Sequence, residues 1–149
     1  MEEQVLTHLK DGAKLCDVYK SAVSMVKKEN SDLVDKLTKN FGFSMGIEFR
    51  EASLSIAPNC NAVAKKGMVF NVNLGLTGLI NKEATDDKGK EMALFIGDTV
   101  MVNKGSPATL LTPSNKEIKN IARFFSKIPK KKKRKLFRYG ISESESESE

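Results

Sequence analysis

Side chains that perform covalent or metal chemistry are sparse in this chain. The single histidine, His8, lies in an amphipathic stretch beside Thr7 and Lys10, where an imidazole reads as an ordinary surface residue rather than a ligand or base. Cys16 and Cys60 stand far apart and outside any CxxC or Cys/His spacing, which suggests neither a zinc site nor a disulfide framework and fits a reducing compartment. No Walker loop is present, and the Gly75/Gly78 pair is too sparse to cradle a phosphate. Without a second histidine or a Cys/His pair, a nucleophile has no general base unless a carboxylate or lysine substitutes. The residues therefore give no support to nucleophilic catalysis. Polar positions that remain include those of Asn40–Ser53, NFGFSMGIEFREAS, where Glu48 and Arg50 alternate with Ile47 and Phe49 and Glu51 follows.

That alternation runs from Ile47 to Ile56 and predicts a half-buried strand with one packed face. Gly42 and Gly46 precede it and permit a close backbone approach. A second strand is expected over Met68–Leu76, with Phe70, Val72 and Leu74 on one side and Asn71, Asn73 and Gly75 on the other. Glu91–Asn103 gives the longest β-type run, interrupted at Gly97, a residue type that marks a bulge or a close approach. TDDKGK, Thr85–Lys90, reads as the polar hairpin tip before it.

Helices precede this sheet. Glu2–Lys10 places Val5, Leu6 and Leu9 on one side and stops near Gly12; Asp17 is the expected N-cap of a second helix with Val18, Tyr19, Ala22, Val23 and Val26 as its stripe. A third helix is expected over Ser31–Lys39, and Ser114 with Glu117 forms a capping box ahead of Ile118, Ile121 and Phe125. Helices, then strands, then a helix give an α+β class with an antiparallel sheet covered by helices.

The 149 residues suit one domain plus a tail, with a globular body over 1–125 and a tail over 126–149. The tail carries 8 Lys/Arg and 4 Asp/Glu out of totals of 25 and 19. The body is thus nearly balanced, which argues against a basic nucleic-acid stripe on it; nucleic acid is expected only nonspecifically, through the tail. PKKKKRK followed by SESESESE is too polar to repay ordering and reads as disordered. Lys130, Lys131, Lys132, Lys133, Arg134 and Lys135 form a candidate nuclear-import signal. The acidic, amphipathic start has neither the basic region nor the apolar region of a signal peptide, and no window is apolar enough to span a bilayer. A soluble intracellular protein is the expectation, with no membrane partner.

Three phrases, NFGFSMGIEFRE, KKGMVFNVNLG and ALFIGDTVMVN, resemble the C-terminal signatures of the pita-bread fold of methionine and proline aminopeptidases and creatinases. Within that fold they are most similar to the N-terminal peptidase-like domain of the FACT large subunit, a histone chaperone. The resemblance covers residues 1 to about 125 and implies the second half of such a domain. Enzymes of the fold hold two metal ions on two Asp, one His and two Glu. The resemblance sets the metal-binding His on Phe43, the two Glu on Asn73 and Gly97, and a substrate-contacting His on Arg50; the Asp ligands belong to the preceding half. It therefore implies a pseudoenzyme with no metal and no other cofactor, whose cleft, with Glu48, Arg50, Glu51, Asn71 and Asn73, takes an extended peptide.

Expectations carried by the resemblance are a nuclear, non-catalytic chromatin module that binds histones or histone tails and serves nucleosome reorganisation in transcription, replication and repair. An HMG-box subunit is the implied FACT partner, reached through regions outside this chain. A metal-dependent aminopeptidase and a non-functional truncated fragment are the alternatives. Lacking a first half, the sheet is expected to expose an edge and an apolar face, with marginal stability or self-association.

Overall fold

The structure is a computed structural model that describes residues Met1–Ser114. Two helices form one layer, α1 (Glu2–His8) and α2 (Leu15–Glu29), followed by a 3-10 helix at Ser31–Lys36. The other layer is a five-stranded antiparallel sheet: β1 (Gly42–Met45), β2 (Glu51–Ser55), β3 (Val69–Ile80), β4 (Glu91–Met101) and β5 (Thr109–Leu110), in the spatial order β2-β1-β3-β4-β5. A single helical turn, α3 (Asp87–Lys90), sits at the tip between β3 and β4. The capping box and the tail expected after Ser114 lie outside the described residues.

Helical spacing builds the core from one side and strand alternation from the other. Val5 and Leu9 of the α1 region and Leu15, Val18 and Ala22 of α2 recur every three or four residues and pack on Phe70, Val72, Leu74 and Val100. These strand residues alternate with the polar ones, so β3 presents one face to the helices and the other away from them. Each buried Leu, Val or Phe contributes about 1.5–3 kcal/mol relative to an exposed one. The helical layer is pinned by backbone bonds to the β2–β3 loop, Leu15 N–H to Ala62 O and Gly12 N–H to Ala64 O, both 2.9 Å.

Several local expectations are corrected. Ile47–Ile56 is not one strand: the chain runs as β1, reverses over 46–50 and returns as β2, with Gly46 N–H donating to Glu48 O. Ile47 and Phe49 consequently stand in the turn and are exposed rather than packed. Asp17 falls in the first turn of α2, whose N-cap position is Lys14 without a side-chain cap. The third helix is a short 3-10 segment with no buried residue, Leu33, Val34 and Leu37 being half-buried. Asn30 caps it by accepting from Asp32 N–H at 3.1 Å. Asn30→Ala is expected to lower stability by about 1 kcal/mol, read as a shift of the urea midpoint with an unchanged slope. Strand β3 runs past Leu76 to Ile80, and the irregularity of the β3–β4 ladder falls between Leu76 and Leu79, not at Gly97.

Candidate functional site

Strand register decides which polar positions share a face. Phe43 of β1 stands opposite Asn71 of β3, and Asn73, two residues along, stands opposite Gly97 of β4. Directly opposed residues lie on the same side of a sheet and i, i+2 neighbours keep that side. Phe43, Asn71, Asn73 and Gly97 therefore gather on the face away from the helical layer, across three adjacent strands. Thr99, opposite Asn71, and Phe95, opposite Gly75, extend this open face.

Two glycines make the arrangement possible. Gly42 has φ +130°, and a Cβ built on it would fall 2.1 Å from the Asn71 carbonyl oxygen. The main chain of β1 thus passes β3 where only glycine fits, and this places Phe43 directly over its neighbour strand. At Gly97 a Cβ would meet Asn73 Oδ1 at 2.6 Å. Gly97 is a close approach rather than a bulge: the Asn73 amide occupies the space that a side chain at 97 would claim. The amide oxygen of Asn71 is buried and has no hydrogen-bond partner.

At one end of this face, Phe43 is covered by the β1–β2 turn. Phe49 meets its ring edge-on at 5.8 Å between centroids, and the Arg50 guanidinium lies 5.2 Å from the Phe43 centroid. An exposed cation over a phenyl face contributes about 0.5–1 kcal/mol. Of the five cleft residues expected from sequence, Arg50, Asn71 and Asn73 belong to this surface. Glu48 is exposed in the turn, and Glu51 pairs with Ser44, on the opposite phase of β1 from Phe43. Phe49 was missed as a site residue because its period matched a packed strand face; Gly46 was the available signal for the reversal.

The remaining reactive groups lie elsewhere. Asp98, next to Gly97, is buried on the helical side and accepts from Thr112 Oγ1 at 2.8 Å, so the adjacent carboxylate does not enter the open face. The Nδ1 of His8 is 2.9 Å from Gln4 O within α1. Cys16 and Cys60 are free thiols. Among the described residues no three His, Cys, Asp or Glu side chains converge in a metal-binding group. Phe43 and Gly97 have no side-chain donor and Asn73 has one neutral oxygen, a set that does not fit a pair of hard divalent ions, which needs anionic oxygens.

Residues 1–104 match Metallopeptidase family M24. The FACT complex subunit SPT16 of Zea mays is 37% identical over 124 residues, covering 83% of this chain and 12% of the relative. The FACT complex subunit spt-16 of Caenorhabditis elegans is 40% identical over 116 residues, covering 77% and 11% respectively. The chain thus spans about one-eighth of the length of these relatives. Among solved structures, the N-terminal domain of SPT16 from Cicer arietinum superposes with a TM-score of 0.72 at 38% identity, over 80% of this chain and 28% of that one. An X-Pro aminopeptidase from Thermotoga maritima superposes with a TM-score of 0.61 at 17% identity, over 78% and 29%, a likeness of fold alone.

Proposed function

The chain belongs to metallopeptidase family M24 and is homologous to the N-terminal pita-bread domain of the FACT subunit SPT16, and from that premise we propose that it is a non-catalytic binding module for histones or histone tails in chromatin. The observation that carries this reading is the set of side chains gathered on the open face. Phe43, Asn73 and Gly97, the positions that the resemblance equates with metal ligands, come together across adjacent strands yet offer one neutral amide oxygen among them. A metal pair that activates water needs anionic oxygens to offset its charge. The shape of a peptide cleft is kept while the donors for hydrolysis are replaced.

What this face can do is hold an extended segment. Asn73 offers amide groups on this face, and Glu48, exposed in the turn at its end, suits a Lys-rich tail. On this reading the protein acts in the nucleus, with Lys130–Lys135 as the import signal, and associates with an HMG-box FACT subunit through regions outside this chain.

The test pairs calorimetry with binding. Titration with Mn²⁺ or Co²⁺ is expected to show no stoichiometric uptake, and a panel of short peptides no turnover. A Lys-rich histone peptide is expected to bind saturably, more weakly after Glu48→Gln and at higher salt. Stoichiometric metal uptake with hydrolysis would sink the pseudoenzyme reading; a cooperatively folded chain with no peptide affinity would sink the binding module.

A further inference from the structure

Strand β5 is two residues long, and Thr112 fastens the chain that follows it. Leu111 N–H donates to Thr99 O at 2.8 Å. Thr112 Oγ1 then accepts from Thr99 N–H at 3.0 Å and donates to Asp98 Oδ1 at 2.8 Å. One hydroxyl thus serves a main-chain donor and a carboxylate of β4 at once. Asp98 is 5% exposed, so water screens its charge poorly, whereas Leu111, Thr112, Pro113 and Ser114 are all exposed.

The sequence adds a second observation at the same place. Two of the four prolines, Pro107 and Pro113, follow a hydroxyl residue, Ser106 and Thr112. Proline keeps the residue before it out of the helical region, so Thr112 stays extended. An extended, exposed hydroxyl residue followed by proline is the peptide that proline-directed protein kinases accept. Lifting residues 111–112 to meet such an enzyme opens the end of a two-residue strand, the kind of exposed pairing that opens at low cost.

We propose that Thr112 is a phosphorylation site for a proline-directed Ser/Thr kinase, and that the phosphate unfastens residues 111–112 from β4. In the transfer Thr112 Oγ1 attacks the γ-phosphorus of ATP, its proton passes to the base of the kinase, and ADP leaves. The product is a phosphate ester with a charge of about −1.5 to −2 and no hydroxyl proton to donate to Asp98. Where one hydrogen bond joined Thr112 to the carboxylate, two anions now face each other in a poorly screened place. Because Thr112 is exposed, the phosphate reaches water by turning away from Asp98, and that turn takes Oγ1 off Thr99 N–H. Ser106, exposed in the loop between β4 and β5, is the built-in comparison, since the bonds at Thr99 and Asp98 go to Thr112.

The full 149-residue chain, incubated with ATP and a cyclin-dependent kinase, is expected to carry phosphate on Thr112, located by tandem mass spectrometry. Amide hydrogen exchange at Thr99 and Leu111 is then expected to rise by about tenfold or more, while the Asn73 amide inside the sheet stays unchanged. Phosphate placed on Ser106 in the Thr112→Ala chain is expected to leave Thr99 exchange as it was. Thr112→Val removes the hydroxyl without adding charge and is expected to raise exchange far less than phosphorylation does. Asp98→Asn, which removes the opposing charge, is expected to blunt the response to phosphate. No phosphate on Thr112, phosphothreonine with unchanged exchange at Thr99, a Thr112→Val chain that exchanges as fast as the phosphorylated one, or an undiminished response in Asp98→Asn overturns the proposal.

Discussion

Replacing Gly42 with alanine is expected to lower stability by about 3 kcal/mol or more, enough to remove much of the margin of a small domain. The added Cβ would fall 2.1 Å from the Asn71 carbonyl oxygen and 2.9 Å from Val72 Cα, both main-chain atoms. Strand β3 is held by β1 on one side and β4 on the other, so it cannot retreat without breaking a ladder. The residue's φ of +130° adds strain for any L side chain. Gly46, four residues on, is the matched control: nothing lies within 4 Å of its Cβ position, so Gly46→Ala is expected to change stability by no more than about 0.5 kcal/mol. Urea denaturation of the pair reads the contrast directly. Equal midpoints would mean that β1 does not cross β3 as described, and the placement of Phe43 beside Asn71 would fall with it.

The second large effect is expected at Phe41. Its ring is fully buried and stacks on Tyr19 of α2, with centroids 4.4 Å apart and planes at 23°. Its main chain is held on both sides, N–H to Ile56 O at 2.8 Å and C=O from Asn73 N–H at 2.9 Å. Phe41 thus locks the helical layer to the start of β1 and to the middle of β3. Phe41→Ala is expected to cost about 3–5 kcal/mol through lost burial and the cavity left behind. Phe49, of the same residue type, is 75% exposed in the turn, and Phe49→Ala is expected to cost less than about 1 kcal/mol. Thermal unfolding of the two variants distinguishes a packed strand over 47–56 from the observed hairpin. If both cost the same several kcal/mol, the hairpin is wrong.

The two predictions test the geometry on which the functional reading depends. A non-catalytic cleft is argued from three positions sharing one face, and that sharing follows from the β1–β3 and β3–β4 registers. Gly42 and Phe41 are the residues that set the first of these.

Much of the fold was legible in the chain itself. The helical stripe of Val18, Ala22 and Val26, the alternation of Phe70, Val72 and Leu74 against Asn71 and Asn73, and the order of helices before sheet all follow from side-chain periods of 3.6 and 2, which are local properties. The period also told that Asn73 and Gly97 each keep a fixed phase within their own strand. What it could not tell is where a strand reverses: Glu48, Arg50, Ile47 and Phe49 alternate as faithfully through a turn as through a strand, and burial belongs to the neighbour that covers a residue, not to the residue. Register between strands was equally out of reach, because pairing Phe43 with Asn71 and Asn73 with Gly97 is set by hydrogen bonds between segments about 25 residues apart. The tertiary structure alone decided that three ligand-poor positions form one surface.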